Sequence, residues 1–131
     1  MSRNSSDTRV RILNFTCKLL ESGDKKVRMF DIAKAVGISR QALYLYFPTR
    51  AELLIATTRH VDSVKNVDAR LADSRTATSG RDRLVFFISA WGGYIPQIHG
   101  LSVALRGMRN SDAAATAAWN DRMQAVRHGC T

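Results

Sequence analysis

The run Ser39-Arg40-Gln41-Ala42-Leu43-Tyr44-Leu45-Tyr46-Phe47 sets an arginine, a glutamine and two tyrosines on one short segment behind a serine. If the segment is helical with Leu43 turned inward, Arg40, Gln41, Tyr44 and Tyr46 face outward. A helix presenting Arg and Gln in this way fits the major groove of B-DNA, where both side chains pair bidentately with base edges. The chemistry on offer is recognition rather than bond-making. The alternative for the two tyrosines is a half-buried place in the core, and for Arg40 and Gln41 an ordinary solvated surface. Nothing else in the chain competes for a catalytic role. There is no Ser-His-Asp order, no carboxylate pair in a plausible cleft, no metal-ligand spacing and no phosphate-cradling glycine loop. The sequence therefore predicts no enzyme, no cofactor and no metal site. Cys17 and Cys130 lack any ligand or redox spacing and are expected to be a small buried thiol and a loose tail thiol.

These residues have to be positioned by helices. Apolar residues recur at spacings of three and four, only two prolines occur, and the fold class predicted is all-α. Helix one is expected from about Asp7 to Ser22, capped by Ser6 or Asp7 and ended by Gly23. Lys25, Lys26 and Arg28 then form a basic loop. A helix over Met29–Val36 buries Ile32, Ala33 and Val36, and Gly37 supplies the left-handed turn. Ser39 caps the helix Arg40–Phe47, Pro48 stops it, and Thr49 with Glu52 forms a capping box for a long helix over Arg50–Asp73. Two short helices joined by a glycine turn are a helix-turn-helix. Ser74–Gly80 reads as a loop, followed by helices over Arg81–Ile98, Leu101–Arg109 and, capped by Ser111, Asp112–His128. His99 falls at a helix end, and Gly92-Gly93 eases packing inside an apolar helix.

The 131 residues carry a net charge of +9, with 20 Lys and Arg against 11 Asp and Glu. Residues 1–60 hold eleven basic and five acidic residues, so +6 of the excess lies in the half that contains the helix-turn-helix. A polyanionic partner is the expectation, although charge alone equally fits a generically basic protein. No run of 18 apolar residues and no signal-like N-terminus occurs, which predicts a cytoplasmic chain away from the membrane.

The series Asp31-Ile-Ala, Gly37-Ile-Ser39, Leu43-Tyr44, Tyr46-Phe47-Pro48, Arg50 and Leu53-Leu54 resembles the signature of the tetracycline-repressor (TetR) family over roughly residues 8–55. The resemblance implies a three-helix DNA-binding domain over 1–55 and a helical regulatory, effector-binding segment over 56–131. It implies that Ser39, Tyr44 and Tyr46 touch phosphates, with ring contacts of the two tyrosines to thymine methyls also open, that Arg40 and Gln41 meet bases or backbone, and that Arg50 stands where the family has a phosphate-binding lysine. Arg28 replaces the family's capping threonine, so the cap is lost and a cation is gained near the backbone. Asn14-Phe15-Thr16 replaces small residues of helix one, so packing there must differ.

The function implied is a ligand-responsive transcriptional regulator, a repressor binding a palindromic double-stranded operator through Arg40–Phe47. A small-molecule effector would sit among Phe87, Trp91, Tyr94, Leu105, Met108 and Trp119, and His60 would lie on the helix that couples effector to DNA. The family dimerises through two terminal helices. The last helix here corresponds to its seventh, so the expectation is an incomplete helical ligand-binding and dimerisation segment, a homodimer left in doubt and weak operator binding by a monomer. The alternative is a non-autonomous interaction fragment that pairs with another protein and does not regulate alone.

Overall fold

The computed structural model describes residues 2–22, 27–108 and 110–130, with side chains over 6–22, 27–108 and 110–128. The expected end at Gly23 and the loop lysines 25 and 26 lie outside the described residues, as do Arg109 and the side chain of Cys130. Within them the chain forms seven helices and no strand: α1 (Ser2–Glu21), α2 (Met29–Val36), α3 (Arg40–Tyr46), α4 (Arg50–Val64), α5 (Val67–Thr76), α6 (Gly80–Met108) and α7 (Ala113–Cys130). α1 packs on α2, α4 and α6, α4 lies along α7, and α6 packs on both α5 and α7.

The core starts where α1 crosses α4. Ile12, Leu13 and Leu20 meet Leu53, Leu54 and Val61, and α2 and α3 add Ile32, Ala33, Val36 and Leu43. Three threonines share this interior. Thr16, Thr57 and Thr58 return their hydroxyls to the carbonyls of Ile12, Leu53 and Ile55 at 2.8 Å, which removes the penalty of a buried unpaired donor. Asn14, the other departure in α1, pairs its side-chain oxygen with the His60 ring on α4 at 3.0 Å.

Several expectations are corrected. α1 is already helical at Ser2, so neither Ser6 nor Asp7 caps it. The helix expected over Arg50–Asp73 breaks at Lys65-Asn66, where Asn66 takes φ 55° and ψ 52°; asparagine visits this left-handed region more readily than most residues. The loop expected over Ser74–Gly80 shrinks to 77–79, because α5 runs to Thr76 and α6 begins at Gly80. The two helices expected across His99-Gly100 are one 29-residue helix with Pro96 and His99 inside it. Tyr94, Ile98, Leu101, Leu105 and Met108 form a continuous buried stripe across that point, and Pro96 lies on the exposed side. Packing of that stripe outweighs the one backbone hydrogen bond proline removes. Finally, α7 is capped by Asp112 rather than Ser111, with Oδ1 accepting from the amides of Ala114 and Ala115 at 3.0 and 3.3 Å.

Candidate nucleic-acid interface and effector cavity

The turn between α2 and α3 is built by local chemistry. Gly37 adopts φ 86° and ψ 31°, the left-handed conformation that favours glycine, and its amide donates to Ala33 O. Ala33 and Leu43 are buried beneath it and Ile38 is half-buried against them. The Ser39 hydroxyl accepts from the Ala42 amide at 3.0 Å, and that of Thr49 from the Glu52 amide at 3.1 Å. Arg11 ties α1 to the end of α2 by donating to Val36 O at 2.7 Å, and Arg9 stacks 4.7 Å from the Phe47 ring centre.

With Leu43 inward, α3 exposes Arg40, Gln41, Tyr44 and Leu45. Arg28, Ser39, Arg40, Gln41 and Tyr44 are thus all at the surface, where the sequence expects them. Arg28 precedes α2 without a side-chain cap and lies 3.5 Å from Asp31 in an exposed ion pair. Tyr46 and Arg50 are placed differently. Tyr46 is half-buried against the core. Arg50 turns inward: Nε donates to Val27 O at 2.6 Å, and one terminal nitrogen contacts both carboxylate oxygens of Asp112 at 2.5 and 2.6 Å. Leu45 is the residue the sequence reading passed over. Its position one turn beyond Gln41 was the available signal.

A second set of residues joins α4 to α7. Besides Arg50–Asp112, Arg59 pairs with Asp121 at 2.7 Å and Asp62 with Arg122. Partners rise together along both helices, so α4 and α7 run in the same direction. Asp62 also accepts from the Tyr94 hydroxyl at 2.5 Å. Burial first, then that hydrogen bond to a carboxylate, pushes the Tyr94 phenol up to about 12. Burial alone would raise the Asp112 carboxyl; the Arg50 guanidinium and the Ala115 and Ala114 amides outweigh it and hold the group below the usual carboxylate range. Cys17 is a half-buried free thiol, pushed up to about 12 by burial and by its contact with Glu21.

Beside the Asp62–Arg122 pair lies a cavity of about 340 Å³ between α4, α5, α6 and α7, walled by Val67, Leu71, Phe87, Trp91 and Val126 among others. A more open apolar groove of about 450 Å³ between α6 and α7 takes in Phe87, Trp91, Ile98, Trp119 and Met123. Of the residues expected to hold an effector, Phe87, Trp91 and Trp119 therefore line one or both spaces. Tyr94, Leu105 and Met108 instead belong to the buried stripe of α6 and line neither. The Trp91 indole N–H is buried with no acceptor among the described residues.

A glycine-turned helix pair presenting Arg40, Gln41 and Tyr44 on a basic chain defines a helix-turn-helix DNA-binding protein. The family model described as bacterial regulatory proteins, tetR family, matches residues 12–57, the segment from the middle of α1 into α4. This segment, about a third of the chain, is similar to that family's helix-turn-helix region and supports a DNA-binding transcriptional regulator. No curated protein and no solved structure matched the chain. Among the described residues no helix is long and apolar enough to cross a membrane.

Proposed function

We propose that the chain is a ligand-responsive repressor, with residues 1–55 as the operator-binding head and 56–131 as the regulatory segment, acting in the cytoplasm. The observation that carries this reading is the position of α4. Only three residues separate it from α3, and its Arg59, Asp62 and Ser63 form one wall of the 340 Å³ cavity. A ligand seated there would press on the same helix that sets the tilt of α3. Because α4 is tied to α7 at Asp112, Asp121 and Arg122, a shift of α7 is passed to the head rather than absorbed. Two arrangements with different operator affinity are all that such control requires.

On DNA, Arg40 and Gln41 face base edges, while Arg28, Ser39 and Tyr44 supply positioning contacts to phosphates. Tyr46 reaches the backbone only at its exposed edge, and Arg50 contributes a phosphate contact only if it leaves Asp112. A homodimer, usual in the family, would set two α3 helices one turn apart on a palindromic operator.

The test is a fluorescence-anisotropy titration of a selected palindromic operator and of scrambled DNA at two salt concentrations. Specific binding by two chains per operator, lost in an Arg40→Ala/Tyr44→Ala variant, is expected. Equal and steeply salt-dependent binding to both DNAs would reduce the interaction to charge and overturn the reading. Repression follows if a promoter overlapping that operator is silenced in a purified transcription system, and activation there would reverse the sign.

A further inference from the structure

We propose that Leu45 recognises the 5-methyl group of a thymine in the operator and so sets part of the sequence preference; this rests on the reading that α3 enters the major groove. Leu45 is 82% exposed, the highest value among the large apolar side chains described. Single exposed apolar residues are common on protein surfaces and mean little alone. The position is what distinguishes this one. At 100° per residue Leu45 falls 40° from Gln41 and one turn further along the helix, about 6 Å away. It shares its turn with Tyr44, as Arg40 shares one with Gln41, so the exposed face of α3 is a patch of four in which Leu45 is the one purely hydrocarbon side chain.

A leucine offers no donor to a phosphate and no partner to a base amide or carbonyl. On the major-groove edges of the four bases the one apolar feature is the thymine methyl. A face on which Arg40 and Gln41 meet polar edges while Leu45 meets a methyl leaves no polar group of the base pair facing hydrocarbon. It also gives α3 a means of telling thymine from cytosine through apolar contact.

The full chain is used to select its preferred duplex from a random pool. Each thymine of that duplex is then replaced singly by deoxyuridine, which removes the methyl and keeps every hydrogen-bonding group. Affinities are measured for the unsubstituted chain, Leu45→Ala and Leu45→Met. At one thymine or more the chain is expected to lose about fourfold on deoxyuridine substitution, which is the ~0.8 kcal/mol of one buried methyl at 1.4 kcal/mol per tenfold. Leu45→Ala should bind the two duplexes alike, and Leu45→Met, which keeps the apolar reach, should restore the discrimination. The proposal is overturned if no thymine is sensitive, or if Leu45→Ala keeps the full sensitivity because another side chain touches the methyl. A pool that yields no preferred duplex would overturn the major-groove reading itself. A preferred duplex with no Leu45-dependent thymine overturns only the role of Leu45.

Discussion

The segment from Val27 to Val61 and the pair α6–α7 are held together in different ways. In the first, the caps and the turn are set by contacts between residues three or four apart. Ser39 and Thr49 cap their own helices, Gly37 turns the chain, and Leu43, Leu53 and Leu54 are fully buried. The contacts that fasten α7 onto α4 instead span 60 to 62 residues of sequence and carry charge: Arg50–Asp112, Arg59–Asp121 and Asp62–Arg122. α6 meanwhile leaves Leu84, Val85, Ile88 and Ile95 in solvent. On the proposed reading, a tightly packed head and a second half fastened by a few polar ties suit different tasks: the head would keep one shape to fit a groove, and the second half would have somewhere to move when a cavity fills.

The sharpest way to break this contrast is to remove one leucine from each region. Leu43→Ala should cost about 2–5 kcal/mol, since a buried leucine leaves a cavity that its neighbours fill only in part. Leu84→Ala, at a position 59% exposed, should lie within about 0.5 kcal/mol of the unsubstituted chain. Urea midpoints compared at fixed protein concentration decide it, and comparable losses would erase the distinction between the regions.

Next in size is the polar tie itself. Asp62→Ala leaves the largely buried Arg122 guanidinium and the Tyr94 hydroxyl without their acceptor, and should cost about 2–3 kcal/mol. The double variant Asp62→Ala/Arg122→Met should recover much of that, because neither charge is then stranded. If the single substitution is neutral by thermal unfolding, the tie contributes nothing to stability and the proposed route from cavity to head loses its fastening.

The smallest effect concerns acid. The Asp112 carboxyl is held below its ordinary value, so it binds its proton less readily folded than unfolded. Its contribution to stability is therefore complete at neutral pH, begins to fall near the unfolded value of about 3.9, and is lost as pH drops through the lowered folded value. Arg50→Met should flatten this part of the stability profile below about pH 4. An unchanged acid limb would show that the Ala114 and Ala115 amides, and not Arg50, hold the carboxylate.

The same contrast explains what the sequence discloses. α2, α3 and the caps Ser39 and Thr49 are legible because each depends on residues within one turn, and the exposure of Arg40, Gln41 and Tyr44 follows from burying Leu43. The break at Asn66 is not legible, since a left-handed asparagine inside an amphipathic stretch is set by how α5 must turn to reach α6. The continuity of α6 through Pro96 and Gly100 is hidden for the opposite reason: local breakers argue for an end, and a buried stripe formed with α5 and α7 overrides them. For the site, the inward turn of Arg50 depends on Asp112, a partner no short-range pattern can point to. The residues expected to hold an effector split on the same ground. Phe87, Trp91 and Trp119 border open space, while Tyr94, Leu105 and Met108 sit at equally helical spacings and differ only in which neighbours cover them.

The Arg50–Asp112 contact also has a consequence in time. Synthesis adds about 5–20 residues per second, and 62 residues separate the two partners. On a ribosome, Arg50 is therefore made roughly 3–12 s before the aspartate that will hold it. During that interval the nascent head already has every residue of its capped turn, and Arg50 is without its carboxylate partner. A chain that has not yet reached Asp112 thus carries beside α3 an arginine that the finished chain holds in an ion pair.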